Sequence, residues 1–166
     1  VLTVSDSNGF VLFPDSGMTE AQLEALIELK EVRRERVAIY AKEQGLQYFE
    51  NQKPWGIKCD IALPCATQNE LDEQDAKTLL ANGCFVVAEG ANMPSTLGAV
   101  EQFIKAGILY APGKASNAGG VATSGLEMSQ NAIRLSWTRE EVDQRLFGIM
   151  QSIHESCLTY GKEGDK

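Results

Sequence analysis

Short apolar runs alternate with amphipathic stretches along this chain, and this alternation restricts the folds that are open to it. Apolar runs of four or five residues suit buried strands, whereas apolar residues spaced by three and four suit one face of a helix. Because strands and helices alternate, the pattern favours a mostly parallel sheet with helices on both faces. The predicted strands are Val1–Val4, Cys59–Leu63, Phe85–Ala88 and Ile108–Ala111, with a short extended segment at Leu46–Phe49.

Two capping boxes predict where helices begin. Thr19 is followed three residues later by Gln22, and Thr138 by Glu141, so each pair can satisfy the free N–H groups of a first turn. Gly45 is expected to end the first of these helices. The predicted helices are Thr19 to about Gln44, Leu71–Asn82, Ser95–Ala106, Ala118–Trp137 (opening on a glycine-rich turn) and Thr138–Tyr160, with Gly161–Lys166 frayed.

Composition excludes several classes of function. A net charge of −8 and a pI near 4.7 argue against nucleic acid, since binding phosphates needs clustered Lys and Arg. No signal peptide is seen, and no apolar run approaches the roughly 20 residues that cross a bilayer, so we expect no membrane partner. The cysteines lack paired metal-site spacing, which predicts no metal site and reduced thiols in a cytoplasmic protein. They are Cys59, Cys65, Cys84 and Cys157.

Polar residues gather where the predicted strands end. In doubly wound sheets ligands bind at the carboxyl ends of strands, so these segments are the candidate site. Asp6 follows the first strand and has two interpretations: an acceptor for ribose hydroxyls, or one member of a turn through Gly9. The strand-end segments are Ser5–Ser7, Pro64–Gln68, Glu89–Asn92 and Ala111–Asn117.

Three segments carry a family resemblance. They are Lys114–Glu127 (KASNAGGVATSGLE), Cys65–Glu70 (CATQNE) and Glu89–Thr96 (EGANMPST). Together they resemble the NADP-dependent, hexameric class of glutamate dehydrogenase, in the family's order and over nearly the whole chain. The resemblance implies a Rossmann-like, doubly wound α/β fold in a cytoplasmic homohexamer. It also implies an oxidoreductase of ammonia assimilation that interconverts L-glutamate and 2-oxoglutarate plus ammonia with NADP, NAD being the other coenzyme open to it.

The same resemblance implies roles for particular residues. The residues expected to bind the cofactor are Asp6, Ser7, Ala66, Thr67, Gln68, Asn92 and Asn117. Those expected to face glutamate are Val121, through an aliphatic contact, and Ser124, through a hydroxyl on the γ-carboxylate. An acid at Asp6 favours NAD on simple electrostatics, so NADP is implied only by the resemblance, with Ser7 and donors elsewhere meeting the 2′-phosphate.

The resemblance also implies parts that are missing. Oxidation of an amine needs a lysine of low pKa and a nearby carboxylate. In the family these lie in an amino-terminal substrate domain, and we assign no catalytic residue to this chain. The glycines that grip the coenzyme phosphates are also expected upstream of Val1, with the first strand. We therefore expect a partial dinucleotide-binding domain at 1–137, a helix leading toward an interdomain hinge at 138–166, and no activity from this chain alone.

Simpler interpretations stay open beside this one. Thr67 and Asn69 could start a helix, Asn92 could make a turn before Pro94, and Ser124 could be a small residue at a helix contact. The chain could be a stand-alone dinucleotide-binding module without catalysis. It could also belong to another amino-acid dehydrogenase of the superfamily, such as one for leucine or phenylalanine, although a hydroxyl at Ser124 suits a charged side chain better.

Overall fold

The computed structural model describes residues 1–161 and divides the chain into two compact units. The first comprises Val1–Ala62 and Gln74–Phe85, and the second comprises Leu63–Glu73 and Val86–Lys166. Each unit has its own sheet and helices. Of the carboxyl-terminal segment that was expected to fray, Lys162–Lys166 lies outside the described residues.

The first unit contains an antiparallel meander. The strands β1 (Thr3–Asp6), β2 (Gly9–Leu12) and β3 (Gln47–Glu50) pair in that order, with Asp6 opposite Gly9. The predicted strand at Val1–Val4 therefore starts later and pairs antiparallel with β2, which was not predicted. A turn at Asp6–Gly9 was foreseen, but its consequence was missed: a two-residue turn returns the chain directly into a hairpin.

One predicted helix is broken in two. Thr19 caps α1 (Glu20–Ile27) through the predicted capping box, and a π-helical segment follows at Glu28–Arg33. Arg34 then adopts a left-handed conformation, and α2 (Val37–Gln44) begins anew and ends at Gly45. The prediction of a single helix from Thr19 to about Gln44 was wrong. Arg and Glu have good helix propensity, so the residues around Arg34 gave no sign that the helix breaks there.

The core of the first unit lies between this sheet and these helices. Tyr40 is almost fully buried, and its hydroxyl donates to the carbonyl oxygen of Gln22 at 2.7 Å, which links α2 to α1. Phe10 and Phe49 stack across β2 and β3 with ring centroids 4.6 Å apart. The buried cluster comprises Val11, Phe13, Leu29, Val37, Tyr40 and Ala41.

The remainder of the first unit holds a short strand and two neighbouring thiols. The strand β4 is only Ile61–Ala62, shorter than the predicted Cys59–Leu63, and α3 (Glu73–Ala81) ends before Gly83, as expected. Burial, together with the nearby Cys84, raises the pKa of Cys59 to about 11. Within residues 1–161, none of the four cysteines forms a disulfide.

A parallel β-α-β arrangement forms the sheet of the second unit. The strand β5 (Val86–Ala88) pairs parallel with β6 (Leu109–Ala111), and α4 (Leu97–Ala106) connects them. Thr96 caps the start of α4, and Gly107 ends it in a left-handed conformation. Phe103 on α4 is fully buried, with its ring 5.7 Å from that of Tyr110 on β6. The predicted α/β class with parallel strands is confirmed.

Three helices follow β6. They are α5 (Gly113–Ser116), α6 (Ala118–Ile133) and α7 (Arg139–Tyr160). The glycine-rich turn predicted at the start of α6 was wrong, because Gly119 and Gly120 are themselves helical. A Cβ at Gly119 would lie 3.9 Å from Met150 of α7, whereas one at Gly120 would meet open space. The capping box of Thr138 and Glu141 is present. Among the described helices, none is long and apolar enough to cross a membrane.

Substitution by alanine should destabilise the protein to different extents at two glycines with positive φ, Gly9 and Gly45. A Cβ at Gly9 (φ +149°) would overlap the carbonyl oxygen of Phe49, whereas a Cβ at Gly45 (φ +63°) would meet open space. Gly9→Ala should lower the free energy of unfolding by on the order of 3 kcal/mol. Gly45→Ala should cost only about 1 kcal/mol. Urea denaturation followed by circular dichroism measures both, and equal losses would contradict the close approach of β2 and β3.

Candidate functional site

The structure distributes the predicted site residues over the two units. Asp6 and Ser7 lie at the β1–β2 turn of the first unit. All of the others belong to the second unit and are described there: Ala66, Thr67, Gln68, Asn92, Asn117, Val121 and Ser124.

The carboxylate of Asp6 is engaged by backbone on both of its oxygens. Oδ1 accepts from the N–H of Asn8 at 2.9 Å, which closes the hairpin turn. Oδ2 accepts from the N–H of Val37 at 3.0 Å, which satisfies a free donor at the start of α2. Asp6 therefore has the structural role in the turn that the simpler interpretation gave it, and it also ties the turn to α2.

The hydrogen bond between Asp6 and Val37 brings the preceding residue, Arg36, to the turn. Arg36 Nη1 donates to Ser7 Oγ at 2.8 Å, and Ser7 Oγ donates to Asn8 Oδ1 at 3.2 Å. Within residues 1–161 Arg36 forms no ion pair, whereas Arg33 is held by Glu43 in a bidentate pair at 2.7 and 2.8 Å. Arg36 thus places a guanidinium without an ion-pair partner in the described part of the chain beside a hydroxyl at a strand end.

Arg36 was missed by the sequence interpretation. It was placed inside a continuous helix, where nothing distinguished it from its neighbours. One signal was available: Lys30, Arg33, Arg34 and Arg36 form a basic cluster in a chain whose net charge is −8. Glu31 and Glu35 lie within the same stretch, so its excess is only two positive charges, and this signal alone does not indicate a site for an anion.

In the second unit, the segment around residues 64–71 runs beside the segment that follows β5. The carbonyl oxygen of Pro64 accepts from the N–H groups of Gly90 and Ala91 at 3.0 and 3.1 Å. Further along, Asn69 N–H donates to Met93 O at 3.0 Å. Asn69 and Met93 both have positive φ, a conformation that costs energy in non-glycine residues and is often found at functional sites.

The segment after β5 is joined in turn to the segment after β6. The backbone N–H of Gly113 donates to Glu89 Oε2 at 2.7 Å, and Ser116 Oγ donates to Glu89 O at 2.6 Å. Asn117 Nδ2 donates to Ala91 O at 2.7 Å. Three of the four predicted strand-end segments are therefore hydrogen-bonded side by side within the second unit. We call this set, residues 64–71, 89–95 and 111–117, the strand-end cluster.

The predicted residues of the strand-end cluster are accessible. Ala66, Thr67, Gln68 and Asn92 are exposed, and Asn117 is half-buried. The N–H of Ala66 donates to Glu70 Oε1 at 2.8 Å, which shapes the loop. No helix starts at Thr67 or Asn69, since α3 begins at Glu73, so that simpler interpretation of the two residues is wrong.

The predicted substrate residues share one face of α6 with Asn117. Spacings of four and three place Asn117, Val121 and Ser124 in one row. Val121 is 74% exposed, and Ser124 is exposed with its Oγ bonded to the carbonyl oxygen of Gly120 at 3.3 Å. This row offers an amide, an aliphatic surface and a hydroxyl in succession.

Comparisons with known proteins assign the chain to a family. The family model described as "Glutamate/Leucine/Phenylalanine/Valine dehydrogenase" matches residues 1–166. The chain is 60% identical over 166 residues to the NADP-specific glutamate dehydrogenase of Escherichia coli (strain K12), covering 100% of the chain and 37% of that protein. It is 59% identical over 164 residues to the NAD(P)-specific glutamate dehydrogenase of Xylanibacter ruminicola, covering 99% and 37%.

A solved structure agrees with this assignment. The crystal structure of Plasmodium falciparum glutamate dehydrogenase matches with a TM-score of 0.85 and 51% identity, over 98% of this chain and 36% of that one. The resemblance found in the motifs is confirmed. The chain spans just over a third of the length of the relatives that it matches.

The double engagement of Asp6 predicts a stability effect in the absence of any ligand. Asp6→Asn converts one acceptor oxygen into a donor, so either Asn8 or Val37 loses its partner. We expect a loss of about 1–2 kcal/mol in the free energy of unfolding. Asp15→Asn, at an exposed position of the same unit, makes the same charge change and should have no measurable effect. An Asp6→Asn variant as stable as the Asp15→Asn control would contradict the structural role.

Proposed function

The chain belongs to the glutamate/leucine/phenylalanine/valine dehydrogenase family, and on this premise we propose that it is most of the coenzyme-binding domain of an NADP-dependent glutamate dehydrogenase. The observation that carries the proposal is the strand-end cluster. Its exposed polar residues are those through which the family resemblance implies coenzyme contact, and hydrogen bonds between the three segments hold them side by side. The complete protein would interconvert L-glutamate and 2-oxoglutarate plus ammonia.

The preference for NADP rests on Arg36 and Ser7. An acid at Asp6 would by itself repel a 2′-phosphate, but two backbone N–H groups already occupy its carboxylate. Arg36 places a guanidinium on Ser7 at 2.8 Å, and a guanidinium matches a phosphate in charge and in its paired donors. We propose that Ser7 and Arg36 bind the 2′-phosphate and that Asp6 meets the ribose. NADH would bind more weakly because it lacks the phosphate.

The other predicted site residues belong to the second unit. We propose that Ala66, Thr67 and Gln68 lie along the coenzyme and that Asn92 and Asn117 hold the nicotinamide. When bound, the coenzyme would accept or supply the hydride exchanged with the substrate Cα. Val121 would contact the methylene chain of glutamate, and Ser124 would donate to its γ-carboxylate. A hydroxyl suits a charged side chain better than the apolar side chain of leucine or phenylalanine, which favours glutamate.

The remaining functions of the complete protein belong to parts outside this chain. We propose that a lysine and an aspartate of an amino-terminal substrate domain perform the proton transfers, since we assign no catalytic residue to this chain. Residues 1–137 would then be part of the dinucleotide-binding domain, and residues 138–166 would lead toward the hinge between domains. Closure about that hinge would exclude water and align the hydride donor with its acceptor. We further propose a cytoplasmic homohexamer that assimilates ammonia.

Substitution of Arg36 tests the proposal. In the complete protein that carries this chain, Arg36→Ala should weaken NADPH binding by a factor on the order of 10–100, because a charge-assisted contact to phosphate is lost. NADH binding should change less than threefold. Isothermal titration calorimetry measures both dissociation constants.

Arg34→Ala is the matched control. It removes the same charge two residues away, where no contact to Ser7 exists, and should lower NADPH affinity only slightly through long-range electrostatics. Equal losses for the two variants would contradict the assignment of Arg36. A wild-type protein that binds no NADPH would contradict the proposed function itself.

A further inference from the structure

Glu89 is a buried carboxylate to which no role has been assigned so far. It follows β5 directly and is only 4% exposed. Its Oε2 accepts from the N–H of Gly113 at 2.7 Å, while Oε1 is buried. Burial, together with the Glu89 carboxylate, raises the pKa of the nearby Tyr110 hydroxyl well above its ordinary range. A side-chain hydrogen bond with Glu89 contributes to this rise in pKa, so the Tyr110 hydroxyl lies beside this carboxylate. Burying a carboxyl group is costly and calls for an explanation.

Glu89 lies at the junction of two segments of the strand-end cluster. Its side chain holds Gly113, its backbone carbonyl accepts from Ser116, and its N–H donates to Ala111 O at 3.0 Å. Two residues beyond Glu89, the carbonyl of Ala91 accepts from the Asn117 side chain. The segment that ends at Asn117 is thus fixed at its start, in its middle and at its end to the segment that begins with Glu89.

The junction leaves no room for a side chain at Gly113. A Cβ on Gly113 would lie 2.9 Å from Ala91 O, 3.2 Å from Glu89 Oε2 and 3.3 Å from Asn117 Nδ2. The Gly113 backbone therefore lies close to both the Glu89 carboxylate and the Asn117 amide. A shift of the Glu89 side chain would reach the Asn117 amide through Gly113.

We propose that Glu89 is a positioning residue for the nicotinamide end of the coenzyme, acting through Gly113 on Asn117. It touches no reacting atom in this account. Its carboxylate fixes the segment from Gly113 to Asn117 relative to the segment that carries Asn92, so that both amides are held in one arrangement. The inference rests on the proposed function, because it takes Asn92 and Asn117 as nicotinamide contacts. It gives a role to a carboxyl group that is almost fully buried.

Binding of two ligands distinguishes a positioning role of Glu89 at the nicotinamide from a general structural role. NADPH contains the nicotinamide, whereas adenosine 2′,5′-bisphosphate is only the adenosine half with its 2′-phosphate. In the complete protein, Glu89→Gln keeps an oxygen for Gly113 but puts an amide donor group in place of the other oxygen, against the existing packing. We expect NADPH to bind at least 10-fold more weakly and adenosine 2′,5′-bisphosphate to bind within twofold of wild type. Glu101→Gln, at an exposed position of α4, should change neither affinity.

Ser116→Ala is a second variant, and it tests the positioning role even if Glu89→Gln does not fold. It removes the hydroxyl that donates to Glu89 O and leaves the carboxylate in place. It should weaken NADPH binding several-fold and spare the adenosine half. If the folded variants bind NADPH like wild type, or lose both ligands equally, the positioning role is overturned. Wild-type protein that binds neither ligand would instead refute the proposed function.

Discussion

The Asp6 carboxylate accepts two backbone hydrogen bonds, and the arrangement of the first unit around the β1–β2 turn depends on them. One bond closes the hairpin turn, and the other fixes the first residue of α2. Arg36 directly precedes that residue, so the same carboxylate holds the backbone from which the Arg36 guanidinium reaches Ser7. In the second unit Glu89 acts similarly, since its buried carboxylate holds the backbone of Gly113. In each unit an acidic side chain thus accepts backbone hydrogen bonds beside groups that we propose for coenzyme binding.

Local signals in the sequence predicted much of the fold. The capping boxes at Thr19 and Thr138 are present, and Gly45 ends a helix in a left-handed conformation, as predicted. These features depend on neighbours within a few residues, which a sequence shows directly. The parallel pairing of β5 and β6 also follows from alternation, because a strand, a helix and a strand in succession favour a crossover connection.

The errors arose where distant residues decide local structure. The helix break at Arg34 is accompanied by a contact from Asp6, some thirty residues away, to the start of α2. Residues with good helix propensity gave no warning of it, and Arg36 was overlooked as a result. By contrast, Asn117, Val121 and Ser124 were chosen from the family resemblance, and the structure places them in one row at the start of α6. The Glu89 junction could not be foreseen, since it depends on where an isolated carboxylate lies in three dimensions.

The central claim is that this chain supplies the coenzyme-binding part of an NADP-dependent glutamate dehydrogenase. The most direct test is the initial rate at which the complete, purified protein oxidises NADPH in the presence of ammonia and a 2-oxo acid. We predict a rate at least 10-fold higher with 2-oxoglutarate than with 4-methyl-2-oxopentanoate, the oxo acid of leucine. NADPH should also be used at least 10-fold better than NADH. No turnover, or a preference for the aliphatic oxo acid, would contradict the account.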